Sequence, residues 1–165
     1  MKKAFTMIEL IFVIVILGIL AAVALPKFLG VANQAHESNL KSFTGTLNRS
    51  VGPTVWSKAI SINGTGSVTA LTGSDQNLST YVDIPKEFTQ RDANLTSDCN
   101  DSTTPHVILT ANKNVAGNTY AVVCKDGNSA NSLKFGLIKV NGNTEPSVGT
   151  AVTSVQGDCI AGECQ

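Results

Sequence analysis

Residues 1–28 read MKKAFTMIELIFVIVILGILAAVALPKF, and the architecture turns on how that run is taken. From Leu10 to Leu25 no side chain is charged or strongly polar. As a helix, Phe5 to Leu25 would rise about 30 Å, the thickness of a hydrocarbon core. Lys2 and Lys3 stand just before it, so the positive-inside tendency keeps the N-terminus cytoplasmic and sends everything beyond Pro26 outward. One residue is out of place. Glu9 carries a carboxylate near the start of the run, and an acid at the centre of a membrane helix costs roughly 2.5–3.5 kcal/mol on insertion scales.

Three readings of the run compete. An ordinary secretory signal would use the small-residue stretch Ala22–Ala24 for cleavage and release a secreted binding or adhesin domain beginning at Leu25. A plain anchor would stay uncut. The third reading starts from the four-residue basic leader followed by FTMIEL, which resembles the class III signal of type IV pilins and of the related pseudopilins of type II secretion. The resemblance runs through Pro26, with Thr6, Met7, Ile8 and Glu9 fitting the family's FT(L/M)IE pattern.

That resemblance implies cleavage between Ala4 and Phe5 by a prepilin peptidase on the cytoplasmic side, N-methylation of Phe5, and assembly through Thr6 and Glu9. The family's usual glycine before the cut is here Ala4, which is also small. It further implies that Glu9 meets the N-terminal amine of a neighbouring subunit where water does not screen the pair; a low effective dielectric strengthens that attraction and makes an unpaired carboxylate costly. The implied partners are further copies and other pilins in a helical filament, the peptidase, an inner-membrane assembly platform, and the bilayer before assembly. The implied location is the bacterial inner membrane, single pass, and then a cell-surface or periplasmic filament. No cofactor is implied.

The helical pattern continues beyond the run. Pro26 should kink the helix rather than end it, because apolar positions resume on its far side. Leu40, Phe43, Leu47 and Val51 recur at spacings of three and four and mark one face, with Lys41, Asn48 and Arg49 pointing elsewhere. Gly52 and Pro53 should break the pattern, after which TVWSKAI adds one or two turns packed by Trp56 and Ile60. A helix from Phe5 to Val51 would be about 70 Å long, so half of it needs partners outside the subunit.

From Ser61 the texture changes to Gly, Ser, Thr and Asn around short apolar runs. Strands are expected at Val107–Thr110, Thr119–Cys124, Leu133–Val140 and Val148–Val155, with KDGNSANS and NGN as hairpin links. The fold class is therefore α+β, a long N-terminal helix packed on a C-terminal antiparallel sheet. Four segments follow: a leader at 1–4, a membrane or filament-core half-helix at 5–25, an amphipathic half at 26–60, and a β-rich head at 61–165.

Cys99, Cys124, Cys159 and Cys164 all fall on the exported side, where thiols oxidise. Three pairings are open. Cys99 with Cys124 and Cys159 with Cys164 is favoured, since the last two close a short C-terminal loop and the first two flank a strand pair. Pilins commonly staple this region with a disulfide and the major pseudopilins usually do not, so the resemblance tilts toward a pilin. A zinc site lacks a short CxxC pair, and His36 is distant in sequence.

Nothing reads as catalytic. His36 and His106 belong to no nucleophile signature, GTGS at 64–67 lacks the P-loop lysine, and Asp98 with Asp101, the one candidate for a calcium contact, is a lone acidic pair in a loop, which is usually just solvated. Twelve basic side chains balance twelve acidic ones, without the basic run that advertises nucleic-acid binding. N-glycosylation sequons occur at Asn48, Asn63, Asn77, Asn94 and Asn100. Those at Asn77, Asn94 and Asn100 carry an acid two residues earlier, similar to the extended bacterial sequon, and are the candidate modification sites.

Overall fold

A computed structural model describes residues 6–90, 92–112, 118–141, 145–152, 157–162 and 164. The chain divides into two compact units, residues 1–37 and 38–165. Helix α1 spans Met7–Thr46 and includes Pro26. Proline removes one backbone donor, and here helical structure continues on both sides of that gap.

The expected break at Gly52–Pro53 does not occur. A π-helical turn, Leu47–Val51, leads directly into α2, Gly52–Asn63, with the Gly52 N–H bonded back to the Leu47 carbonyl. In a regular α-helix the Pro53 ring would meet the carbonyl four residues earlier, and a widened turn relieves that clash. The same turn keeps the apolar stripe aligned. Leu40, Phe43, Leu47, Val51, Val55 and Ala59 are all buried, and each step of four overshoots an α-helical turn by about 40°. One wider turn takes back part of that drift. Gly52 lies against the backbone just before the strand Lys134–Asn141, because a Cβ there would stand 2.7 Å from the Leu133 carbonyl oxygen. Helix α2 ends at Gly64, whose φ of 73° closes it in the left-handed conformation.

Among the described residues, four strands form one antiparallel sheet in the order β1 (His106–Thr110), β2 (Asn118–Lys125), β3 (Lys134–Asn141) and β4 (Gly157–Gly162). The first three match the expected strands to within a residue or two. The fourth does not. Of the stretch 148–155, residues 153–155 lie outside the described residues, and Ala151 forms an isolated bridge to His106. Val107 and Thr150 are also joined, N–H to carbonyl, at 2.9 Å, so this stretch covers the edge of β1 instead of extending the sheet beside β3. Strand β3 ends at Asn141 and β4 begins at Gly157; Gly142 and Asn143 of the expected NGN link lie outside the described residues.

Alternation on β2 sorts the core into two layers. Tyr120, Val122 and Cys124 join the helical face with Leu47, Val55, Phe88, Phe135 and Leu137. Ala121 and Val123 point the opposite way, to Val107, Ile138, Val140 and Cys164. The helix covers one face of the sheet, as expected, and the C-terminal region contributes to covering the other.

Candidate functional site

The residues singled out in the N-terminal unit begin with Thr6, the last residue before α1. Its backbone N–H and hydroxyl both donate to Oε2 of Glu9, at 3.0 and 2.9 Å, while its Oγ1 accepts the Glu9 N–H at 3.4 Å. This is a reciprocal capping box: Thr at the N-cap and Glu three residues on satisfy donors that a helix start leaves orphaned. The Thr-x-x-Glu spacing announces it in the sequence, a signal the reading of Glu9 as an assembly residue passed over. Among the described residues, Oε1 of Glu9 has no partner.

From Leu10 to Leu25 the helix is apolar and uncovered. Ile8, Phe12, Leu20, Leu25 and Phe28 are each more than half exposed, and nothing of the most apolar part of the helix is buried. A helix hydrophobic all round belongs in lipid or among other helices. Ala4 and Phe5, the expected cleavage pair, lie outside the described residues. His36 is exposed on α1.

In the second unit Cys99 is bonded to Cys124 and Cys159 to Cys164, with Cα separations of 5.4 and 5.8 Å. The first bond ties the single helical turn α3 (Leu95–Asp98) to β2; the second bridges β4 to the segment after it. Among the described residues no group of three or more metal-ligating side chains forms. Asp98 accepts the Ser97 hydroxyl and the Asn94 N–H. Asp101 accepts the Thr103 hydroxyl and the N–H groups of Thr103 and Thr104, which hold its carboxyl below the usual aspartate range. Nδ1 of His106 is buried without a partner among the described residues.

Two residues of structural weight escaped the sequence reading. Asn48, expected to point away from the sheet, instead faces β3 and bonds both the N–H and the carbonyl of Phe135. Asp126 is 7% exposed; its Oδ1 accepts the N–H groups of Val68 and Gly127, and its Oδ2 the Ser67 hydroxyl. Burial pushes its carboxyl above the ordinary range against those donors, and the nearby Asp101 charge adds to the rise. It staples the loop after α2 to the β2–β3 link.

Residues 1–25 match the prokaryotic N-terminal methylation motif. The type IV narrow pilus major component PilA5 of Thermus thermophilus is 53% identical over 38 residues, 23% of this chain and 33% of that relative. The chain thus matches only about a third of the relative's length. No solved structure matches it. The N-terminus is thus similar to a methylation motif and to a pilin, and it stands before a long helix packed on an antiparallel sheet.

Proposed function

We propose that the chain is the structural subunit of a type IV pilus-like filament, cut before Phe5 and assembled through its N-terminal helix. The observation that carries this is an apolar helical surface from Leu10 to Leu25 with no cover of its own, headed by the Glu9 carboxylate. Lipid covers that surface before assembly and the helices of other subunits cover it afterwards. The Thr6–Glu9 box gives the carboxylate local donors while the subunit waits in the membrane, and leaves one oxygen for a neighbour's terminal amine. Pro26 supplies a missing hydrogen bond at which the helix can adjust its course within the filament. The pilus name of the relative and the two disulfides favour a pilus over a secretion pseudopilus.

N-terminal sequencing of fibres sheared from producing cells tests the reading. Fibres built of this chain with a methylated Phe5 terminus are expected. A soluble, monomeric product starting at Leu25 would replace it with the secreted-domain reading.

A further inference from the structure

The fold separates the five sequons further than the sequence does. Asn48 spends its amide on Phe135 and Thr44. Asn63 is exposed, but its Oδ1 holds both the N–H and the hydroxyl of Thr65, the hydroxyl a glycosyltransferase must grip, and no acid precedes it by two. Asn94 caps α3 through Oδ1, and the hydroxyl of its partner Thr96 turns in to the Val68 carbonyl. Asn77 is half-buried in a bridge to Asn94, and the acid before it, Asp75, is ion-paired with Lys58 at 2.6 Å.

Asn100 differs from Asn77 in its exposure, and from Asn48, Asn63 and Asn94 in its unbonded side-chain amide. It is exposed, and among the described residues neither its side chain nor its backbone has a hydrogen-bond partner; Ser102, which supplies the sequon hydroxyl, is likewise exposed and free. Its neighbours are fixed on both sides, Cys99 by its disulfide and Asp101 by the two threonines. The acid two residues before, Asp98, is held only by Ser97 and Asn94, so opening one helical turn releases it.

We infer that Asn100 is the N-linked glycan attachment site of this chain. The donor class is an oligosaccharide linked to a polyprenyl diphosphate. A bond forms between the amide Nδ2 and the anomeric carbon, the bond from that carbon to the diphosphate oxygen breaks, and its electron pair leaves with the lipid diphosphate. The amide proton goes to a base of the transferase. The inference rests on the proposed export of the second unit, since such donors are used on the far side of the membrane.

Intact-mass analysis of the full chain from its own envelope, with peptide mapping of Asn100→Gln, Ser102→Ala and Asn77→Gln variants, tests it. Glycan mass should be present in wild type and in Asn77→Gln, and be lost from both Asn100→Gln and Ser102→Ala. The same spectra report oxidation of the two cysteine pairs, which marks export independently. An oxidised chain without glycan, or glycan that survives Asn100→Gln, overturns the inference and leaves export standing. A reduced, unmodified chain overturns both.

Discussion

The side-chain amide of Asn48 accepts the Phe135 N–H at 2.9 Å and donates to the Phe135 carbonyl at 2.7 Å, so a helical residue occupies the place of a strand neighbour. The pairing of β3 with β4 begins one residue on, at Gly136 with Gly162. Beyond that pair Phe135 would present an open N–H and carbonyl beside the helix, where water is excluded. Gly162, with φ of 73°, turns β4 out of the way, and the space a Cβ would take there falls against Phe135 and Asn48.

Asn48→Ala should therefore destabilise the segment 38–165 by about 2–4 kcal/mol, because two backbone groups of a buried residue lose their partners together. Asn48→Asp should be worse, since a carboxylate cannot donate to the Phe135 carbonyl. Urea unfolding of the three proteins checks the order; a neutral Asn48→Ala would mean water reaches Phe135.

Asp126 gives a pH dependence of definite sign. Its carboxyl is raised, chiefly by burial. Between the ordinary aspartate value of about 3.9 and the folded value, the native state therefore holds more protons than the unfolded chain. Stability from this group falls as pH rises through that window and is level above it. Asp126→Asn should flatten that slope and be close to neutral or stabilising at pH 7, because its Oδ1 still accepts the Val68 and Gly127 N–H groups and its Nδ2 can donate to a rotated Ser67 hydroxyl. Asp126→Ala should cost about 2–3 kcal/mol. Melting temperatures from pH 3 to 7 for the three proteins decide it.

The disulfides should differ in worth. The bonded cysteines are separated by 25 and 5 positions in the sequence, and in the chain-entropy account the longer loop stabilises by about 1.4 kcal/mol more. Replacing Cys99 and Cys124 by serine should lower the melting temperature more than replacing Cys159 and Cys164. The reverse order would place the main effect in native contacts of the C-terminal segment.

Glu9→Gln should insert into the membrane and be cut before Phe5 as wild type is, because an uncharged residue enters lipid more readily, while filament yield falls sharply. Thr6→Val removes the hydroxyl of the capping box but keeps the carboxylate, and should reduce yield less. Counting sheared fibres at matched levels of processed subunit measures both; undiminished fibres from Glu9→Gln would show that the acid is not needed for docking.

The sequence by itself determined what is local and periodic. An uninterrupted apolar run, a Thr-x-x-Glu start, buried positions at three and four, and three short apolar strands between turn residues are each legible because neighbours in the chain decide them. Only the tertiary structure decided what depends on distant pairs. Asn48 is 87 residues from Phe135, and Asp126 is 59 from Ser67. No periodicity links such positions, and a lone polar residue on a helix reads as solvent-facing until the strand it caps is in place. The helix passes Gly52 and Pro53 for the same reason. Their local preference is to break it, and continuity from Leu47 to Asn63 is held by burial of Leu47, Val51, Val55 and Ala59 against the sheet, a term larger than the propensity it overrides.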